Sequence, residues 1–443
     1  MRIMIVTDQY PPMIGGVPNV TQGLAVDFAE RGHQVWVVAP SYCSRDVRRM
    51  EGQVRVYRYS SFEWPLFREL RIPFLPLMPI RNLIKRADPD IIHIHSPIVL
   101  GNIAQIMAGG LRKPVVATNH YLPTNINNAL NEESLLGKPL SDISYAYLVH
   151  FCNRCDFVTA PTQTALNLLY EHGLHVPAAA ISNGIDLRKF KPGERDSEIL
   201  RFFNLPEDRP LILHVNRLSE EKRVDVLLDA VAKMKQNAHV ALVSSGPAEA
   251  DLRAQVECLQ IKDRVSFLGF VCDEDLLKLR HAADLFVIPS EADLQSLATM
   301  EVMACALPVI AANSYALPEL VHHNENGLLF TPGESDELAE DIDQLLADPE
   351  RRARMGQQSL KIISEHDRAR VLNIWEDLYR RLAIEFREAK VLRERQLATR
   401  KYTGQRGDAA KKATRSRIRR TGDIGFDRSP TKKLRTQTRK RNH

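Results

Sequence analysis

The chain has few cysteines, few aromatic residues and no long hydrophobic run. Six cysteines in 443 residues are too sparse for a disulfide scaffold, which favours a reducing cytoplasm. No apolar stretch approaches the ~20 residues that a helix needs to cross a bilayer. The first ten residues, MRIMIVTDQY, lack a cleavage-site pattern and predict a β-strand, not a signal peptide. We therefore expect a cytoplasmic protein of ordinary globular composition.

Acidic charge is scarce at the C-terminal end. Residues 401–443 hold 15 Lys and Arg against three Asp, whereas residues 1–400 hold 45 basic and 52 acidic residues. Because the segment also lacks apolar periodicity, it predicts a disordered basic tail. Such a tail would bind an anionic membrane surface, or RNA and DNA non-specifically. One Tyr and one Phe are too few for base stacking, so no specific nucleic-acid partner is expected.

Short apolar strands alternate with amphipathic helices along the body of the chain. One series of strand-like runs lies at 2–7, 34–39, 91–95, 114–120, 157–161 and 178–182, and a second at 210–215, 239–245, 265–268, 285–289, 308–312 and 327–330. This alternation predicts parallel sheets with right-handed crossovers. The expected fold is α/β, with two doubly wound Rossmann-like domains facing across a cleft that binds the ligand.

The polar stretch KPGERDSE at 191–198 marks the predicted joint. We expect a first domain at 1–192, a second at 199–366, a helix at 367–398 and the basic tail at 401–443. We expect no cofactor and no metal ion. Two D-x-D strings, at Asp88–Asp90 and Asp341–Asp343, favour structural roles over metal binding, and Cys152-x-x-Cys155 lacks the second pair of a zinc site.

Three segments are candidates for chemistry. A glycine pair, Gly15–Gly16, lies between a strand and a helix, where backbone approaches a ligand closely; a plain tight turn is the alternative. Arg217 and Lys222 follow a strand of the second series and suit a diphosphate, or else form a solvated charged surface. Asp293 and Glu301 flank a helix start and suit sugar hydroxyls; a capping Asp and a surface Glu are the alternatives.

Together these segments resemble the retaining glycosyltransferases of family 4, which have the GT-B fold, and in particular bacterial lipid glycosyltransferases such as diacylglycerol glucosyltransferases and phosphatidylinositol mannosyltransferases. The resemblance spans about residues 1–385. It rests on GGVPNV, RGHQVWVVAPS, DIIHIHSP, VTAPTQTALNLL, ISNGIDLRKFKP, NRLSEEKRVDVLLDA, VSFLGFV and the block 289–330, which ends in NENGLLFTPG. It implies that the helix after 367 returns to the first domain.

The resemblance also implies a role for each matching residue. Arg217 and Lys222 would stabilise the leaving diphosphate, and His120 would lie beside the donor sugar. Glu301 would bind the ribose hydroxyls, and Asp293 replaces a family glutamate that contacts sugar hydroxyls. The remaining substrate contacts would come from Gly15, Gly16, Asn183, Gly246, Leu294, Gln295, Ser296 and Leu297.

The implied reaction moves a hexose from UDP-glucose or GDP-mannose to a hydroxyl acceptor, without a metal ion. The Gln295–Ser296 pair resembles branches that glycosylate membrane lipids, which favours a lipid acceptor such as diacylglycerol or phosphatidylinositol. Asp293 in place of Glu puts the sugar in question. A soluble or polysaccharide acceptor, and a nucleotide-sugar-binding protein without turnover, remain alternatives.

Residues 61–86 have two interpretations. They are either an ordinary loop and helix, or a surface that enters the membrane interface at the inner face of the cell membrane. The second interpretation uses apolar Trp64, Phe67, Leu70 and Phe74 together with basic Arg68, Arg71, Arg81, Lys85 and Arg86. His93 and His95 alternate on a strand and favour core packing, with His95 placed at the strand end where it could line the cleft.

Overall fold

The computed structural model describes residues 1–64, 67–123 and 137–420. Within them the chain forms two sheets flanked by helices, together with a small antiparallel hairpin. Contacts divide the chain into one compact unit, Met1–Ala383, and a second that begins at Ile384. Both sheets lie in the first unit, so the predicted boundaries at 192 and 199 stay predictions.

The first sheet and its helices occupy the N-terminal part of the chain. In chain order the elements are β1 (Arg2–Val6), α1 (Gly16–Glu30), β2 (Gln34–Pro40), β3 (Val47–Glu51), β4 (Val54–Tyr59), β5 (Ser61–Trp64), β6 (Phe67–Pro73), α2 (Leu77–Ala87), β7 (Ile91–Ile94), α3 (Val99–Leu111), β8 (Val115–Thr118), α4 (Gly137–Cys152), β9 (Phe157–Ala160), α5 (Gln163–Glu171) and β10 (Ala178–Ala180). Eight strands pair in the order β10-β9-β8-β7-β1-β2-β4-β3, all parallel except β3 with β4.

The second sheet and its helices follow. Their elements are α6 (Ser197–Phe202), β11 (Leu211–Val215), α7 (Val224–Lys233), β12 (His239–Val243), α8 (Glu249–Cys258), β13 (Val265–Gly269), α9 (Asp273–Ala282), β14 (Leu285–Ile288), α10 (Leu297–Ala304), β15 (Val309–Ala312), β16 (Gly327–Phe330), α11 (Ser335–Ala347), α12 (Pro349–Ile363) and α13 (Arg368–Arg420). Six parallel strands pair in the order β13-β12-β11-β14-β15-β16.

The central strands are apolar at almost every position because helices cover both faces of each sheet. Ile3, Met4, Ile5 and Val6 of β1 are fully buried, and β1 lies between β2 and β7. This architecture confirms the predicted α/β class with two doubly wound sheets. The hairpin β5–β6 was not predicted, because prolines and basic residues hide its alternation.

Helix α13 begins by packing against the first sheet. Val371, Leu372, Trp375 and Tyr379 share a hydrophobic cluster with Ile3 and Phe28. The helix extends to Arg420, whereas the sequence predicts a helix that ends at 398 and disorder from 401. Lys, Arg, Ala and Gln dominate much of this stretch and have good helix propensity, so the lack of an apolar face did not prevent a helix at 401–420. The rest of the predicted tail, 421–443, lies outside the described residues.

No helix within the described ranges has both the length and the apolarity that crossing a bilayer requires.

Candidate active site

The loops at the carboxyl ends of the two sheets meet at the starts of α1 and α10. Helix α1 begins at Gly16 and α10 begins at Leu297. A Cβ atom placed on Gly16 would lie 3.7 Å from Leu297 Cδ1. The predicted Gly15–Gly16 turn and the predicted 293–301 segment are therefore neighbours across the two sheets. Helix starts carry N–H groups without intrahelical partners, which suit a phosphate.

Lys222 and Asp293 form an ion pair at the edge of the second sheet. Lys222 follows β11, and Asp293 follows the neighbouring strand β14. Lys222 Nζ lies 3.0 Å from Asp293 Oδ1, and the two side chains are only 12% and 13% exposed. The other oxygen, Asp293 Oδ2, is buried and lacks a hydrogen-bond partner within the described chain. A buried acceptor of this kind suits a hydroxyl donor.

Arg217 lies on the exposed loop that follows β11. Its backbone N–H donates to Asn216 Oδ1 at 3.0 Å. Gly246 lies directly beneath the same loop, and a Cβ atom there would come within 2.1 Å of the Leu218 carbonyl oxygen. The structure thus gives a packing reason for the glycine, because any side chain would collide with the loop that carries Arg217, and the substrate contact predicted for Gly246 stays a prediction.

Glu301 lies just over one turn into α10 and forms an ion pair with Arg280 of α9. Arg280 is only 3% exposed. Burial raises the pKa of the Glu301 carboxyl, and the positive charge of Arg280 opposes that rise. The guanidinium donates to Oε2, so ribose hydroxyls would share an already oriented carboxylate with Arg280.

Leu294 and Ser296, both predicted to contact substrate, make structural contacts within the protein. The Leu294 side chain packs in a hydrophobic cluster of the first sheet, and its carbonyl oxygen accepts a hydrogen bond from Thr162 Oγ1 at 2.8 Å. Ser296 is buried and caps α10, where its Oγ accepts from the Thr299 backbone N–H at 3.2 Å. Both side chains contact the protein itself, and the substrate contacts predicted for Leu294 and Ser296 stay predictions.

Gln295 joins the second sheet's loop to the first. Its Oε1 accepts from the Asn183 backbone N–H at 2.8 Å, and its Nε2 donates to the Pro161 carbonyl oxygen at 3.2 Å. Ser182 Oγ, next to Asn183, lies 2.8 Å from His366 Nδ1. Gln295 and Asn183 were both predicted to bind substrate, and the structure places them together in a hydrogen-bonded inter-sheet contact.

Three histidines lie at the carboxyl edge of the first sheet. His95 Nδ1 is 2.9 Å from Nε2 of His120, the predicted active-site histidine, which follows β8. His93 Nδ1 lies 2.6 Å from the Tyr379 hydroxyl, and its Nε2 lies 2.6 Å from Thr118 Oγ1. Burial lowers the pKa of His120 to about 4 and holds the pKa values of His93 and His95 well below 6.5. All three rings are therefore neutral at pH 7.

Arg280 and Tyr379 are functional candidates that the sequence analysis missed. Arg280 follows Leu276 and Leu277 at helical spacing, so a charge stands on the inner face of α9. A buried charge needs a partner, and this periodicity was a signal that could have indicated the pair with Glu301. The spacing of Tyr379 in α13 predicted only an apolar packing role, and no sequence pattern indicated the contact of its hydroxyl with His93.

Asp88, Asp343 and Cys155 of the D-x-D and C-x-x-C strings contact other groups of the protein. Asp88 pairs with Lys113 and Arg2, and both oxygens of Asp343 accept backbone N–H groups from the loop at 235–236. Cys155 is buried, its sulfur accepts from Gln105, and burial raises its pKa to about 12.

Two protein-family descriptions match the chain. "Glycosyltransferase Family 4" matches residues 14–189, and "Glycosyl transferases group 1" matches residues 196–361. Together they cover more than half of the chain. The first match contains every strand of the first sheet except β1, and the second match contains the whole second sheet.

Three curated relatives match over most of their length. Alpha-monoglucosyldiacylglycerol synthase of Streptococcus pneumoniae is 28% identical over 79% of this chain and 79% of the relative. A GDP-mannose-dependent alpha-mannosyltransferase of Corynebacterium glutamicum is 26% identical over 74% and 76%. N-acetyl-alpha-D-glucosaminyl L-malate synthase of Bacillus anthracis is 28% identical over 83% and 94%.

A solved structure with the same fold is that of Anabaena Alr3699/HepE in complex with UDP and glucose. It superposes with a TM-score of 0.68 at 24% identity, over 85% of this chain and 99% of that one. The two-sheet architecture, the loops that meet between the sheets and these matches agree with one another. The chain belongs to the family 4 glycosyltransferases, has the GT-B fold and uses a nucleotide sugar as donor.

Proposed function

We propose that the protein transfers a hexose from UDP-glucose or GDP-mannose to a hydroxyl group of a membrane lipid, with retention of the anomeric configuration and without a metal ion. The observation that carries this proposal is the Lys222–Asp293 pair, which lies at the sheet edge from which α10 starts. It offers a cation for a diphosphate beside an unpartnered acceptor for a sugar hydroxyl.

The diphosphate would lie between the helix starts at Gly16 and Leu297. Gly15 and Gly16 leave room for the phosphates on the side of the first sheet. Lys222 would supply a compact positive charge, and Arg217 would supply a guanidinium fork to the bound donor. Charge grows on the leaving diphosphate in the transition state, so both cations would lower the barrier.

The sugar and the ribose would contact different carboxylates. Asp293 Oδ2 would accept a hydrogen bond from a hydroxyl of the transferred hexose, and neutral His120 would contact the same sugar from the first sheet. Glu301, oriented by Arg280, would accept from the ribose hydroxyls. UDP-glucose and GDP-mannose share the diphosphate and ribose groups, so these contacts serve either donor.

The transfer breaks the bond between the anomeric carbon and the terminal phosphate oxygen. The acceptor oxygen forms the new bond on the same face of the sugar, and its proton passes to the departing phosphate. This route needs no protein nucleophile and conserves the anomeric configuration.

An exposed apolar surface on the hairpin and α2 supports a membrane acceptor. Its side chains are more than a third exposed: Phe62, Trp64, Phe74, Leu75, Leu77 and Met78. Lys85 and Arg86 are exposed further along α2, and Arg81 is half-buried. Clustered apolar groups beside cations suit the interface of an anionic bilayer. The side chains predicted to contribute at Phe67, Arg68 and Leu70 lie outside the described ones.

The names of relatives support two acceptor classes. The pneumococcal relative is named for a diacylglycerol lipid, and the Bacillus relative for malate, a soluble acid. The exposed apolar surface favours the lipid, and we propose peripheral association with the cytoplasmic face of the membrane, with the basic C-terminal segment adding attraction.

A nucleotide-release assay tests the proposal. The full-length protein is given UDP-glucose, UDP-galactose, GDP-mannose or UDP-N-acetylglucosamine, with and without anionic vesicles that contain diacylglycerol and phosphatidylinositol. We expect release from UDP-glucose or GDP-mannose that depends on the vesicles and persists in EDTA. Release without vesicles would move the acceptor into solution. Donor binding without any release would indicate a binding protein and contradict the proposal.

A flotation assay tests the membrane surface separately. The double variant Phe74→Ser/Leu75→Ser should bind vesicles of phosphatidylcholine and phosphatidylglycerol at least about tenfold more weakly, because each apolar side chain contributes about 1.5–3 kcal/mol when buried. Phe270→Ser is the control, since Phe270 is at least as exposed as Phe74 and Leu75 but follows β13 of the second sheet. Equal binding by the wild type and the double variant would contradict the proposed surface.

A further inference from the structure

His95 and His120 are joined by a hydrogen bond that lies in the planes of their rings. The ring planes differ by 10°, the centroids are 5.2 Å apart, and His95 Nδ1 lies 2.9 Å from His120 Nε2. That centroid distance equals the nitrogen contact plus the two ring radii, so the rings meet edge to edge. Such a contact requires one ring to donate and the other to accept.

The surroundings of His95 decide which ring donates. His95 is 3% exposed, and its Nε2 is buried without a hydrogen-bond partner within the described residues. A proton on Nε2 would be an orphaned buried donor, which folded proteins avoid more strictly than an orphaned acceptor. The neutral ring therefore carries its proton on Nδ1 and donates it to His120 Nε2.

His95 packs against the ring of His93, which hydrogen bonds hold in one orientation. The centroids of the two rings are 3.9 Å apart. Thr159 Oγ1 donates to the Ala117 carbonyl oxygen at 3.5 Å, so it accepts from Thr118, 2.7 Å away. Thr118 then accepts from His93 Nε2, which leaves His93 Nδ1 to accept from Tyr379.

This chain of hydrogen bonds has one direction. It runs from the Tyr379 hydroxyl on α13 through His93 and the two threonines to a backbone carbonyl. Both ring nitrogens of His93 are satisfied, so its ring has no freedom to flip or to exchange a proton with its neighbour. His95 thus packs against a fixed surface and has His120 as its hydrogen-bond partner.

We propose that His95 is a positioning residue for sugar transfer: its Nδ1–H···Nε2 hydrogen bond holds His120 in the tautomer that carries the proton on Nδ1. His120 then presents a neutral N–H donor from the carboxyl edge of the first sheet, suited to a hydroxyl oxygen of the donor sugar. The contact with the sugar rests on the proposed function, whereas the tautomer does not.

The tautomers are measured on the full-length protein without substrate. Long-range ¹H–¹⁵N NMR of protein with ¹⁵N-labelled histidine separates protonated from unprotonated ring nitrogens. We expect His120 to be protonated on Nδ1 and unprotonated on Nε2, and His95 likewise protonated on Nδ1. A His120 ring protonated on Nε2 in the wild type would overturn the proposal, with no variant required.

Two substitutions at His95 test the consequence for turnover. His95→Asn places an amide donor near the position of Nδ1 and should retain both the His120 tautomer and most of kcat. His95→Leu removes the donor and should shift His120 toward the Nε2-protonated form, with kcat about tenfold lower and the donor KM little changed, as expected for one lost oriented hydrogen bond.

The two readouts separate this inference from the proposed function. If His95→Leu shifts the tautomer but leaves kcat unchanged, positioning by His95 stands and the proposed contact of His120 with the sugar fails. If His95→Leu leaves the His120 tautomer unchanged, His95 does not position that ring and the inference fails.

Discussion

The two sheet edges that face each other hold their buried polar groups in opposite ways. At the first sheet, His93, His95 and His120 are neutral, because burial lowers their pKa values. At the second sheet, Lys222 pairs with Asp293 and Arg280 pairs with Glu301. The free-energy cost of burying charge is avoided at the first sheet because the rings are neutral, and it is offset at the second sheet by ion pairing.

This difference fits the two halves of a nucleotide-sugar donor. The diphosphate is anionic and needs cations, which in the proposed function would be Lys222 and Arg217 of the second sheet. The hexose is neutral and is recognised through hydroxyl groups, which neutral rings and a buried carboxylate oxygen match without a charge penalty. The comparison predicts that removing a charge at the second edge costs more activity than changing a neutral group at the first.

The largest expected effect follows from Lys222→Ala. Removing the cation beside the leaving diphosphate should lower kcat by about 10²–10³-fold, or about 3–4 kcal/mol of transition-state stabilisation, with a smaller change in donor affinity. Nucleotide release measured over a range of donor concentrations separates the two parameters.

The matched control for this experiment is Lys262→Ala. Lys262 also pairs with a carboxylate, Glu257, but it is 77% exposed and precedes the amino end of the edge strand β13, opposite the carboxyl edge. Its loss should therefore leave kcat unchanged. Equal losses of kcat in the two variants, or an unaltered kcat in Lys222→Ala, would show that the charge of Lys222 at the carboxyl edge of the second sheet does not serve the reaction.

The next effect is expected for Glu301→Gln. The amide oxygen of Gln still accepts from Arg280, but the charge-assisted hydrogen bonds to the ribose are lost. Bonds to charged groups contribute about 1.5–3 kcal/mol, so nucleotide affinity should fall about 10–100-fold. Binding of UDP and GDP by calorimetry measures this directly, with the exposed Glu257→Gln as control.

Glu301→Ala is expected to differ from Glu301→Gln in stability. It would leave the buried Arg280 without a partner, a change that costs about 3–5 kcal/mol of folding free energy. If Glu301→Ala lost no stability relative to Glu301→Gln, the ion pair would not be the reason why the second edge holds its charges.

The two edges also differed in how far the sequence could predict them. Lys222, Asp293 and Glu301 lie in continuous motifs, so their types and spacing carried the prediction. Leu294, Gln295 and Gly246 were predicted from the same motifs, but their contacts within the protein were not. Leu294 packs in the cluster of the first sheet, Gln295 accepts from Asn183, and Gly246 leaves room for the loop that carries Arg217. Such contacts depend on three-dimensional placement. The two sheets were legible because buried parallel strands are apolar throughout.

The sequence predicted less about the histidines at the carboxyl edge of the first sheet. Alternation on β7 predicted that His93 and His95 share a face, but which partners they meet depends on α13, almost three hundred residues later. A hydrogen bond such as that between Tyr379 and His93 leaves no local pattern in a sequence, so the neutral network emerged only from the fold.

The smallest expected effect concerns acid. The folded pKa of His120, about 4, lies below 6.5, so its neutral burial contributes stability that is present above pH 6.5 and is lost as the pH falls toward 4. Between pH 7 and pH 5 this loss is about 2 kcal/mol for such a group. Asp8 acts oppositely, because burial raises its pKa to about 6 and its contribution is lost as the pH rises.

Comparing the wild type with His120→Gln isolates the histidine, since Asp8 and the other titrating groups are common to both proteins. The longer Gln side chain places an amide acceptor near the position of His120 Nε2, which contacts His95, but it does not titrate. The denaturation midpoint of the variant should therefore fall less between pH 7 and pH 5 than that of the wild type. Equal falls would mean that His120 is not held neutral by burial. The first edge would then carry charge in acid, and its contrast with the ion-paired second edge would be a property of neutral pH alone.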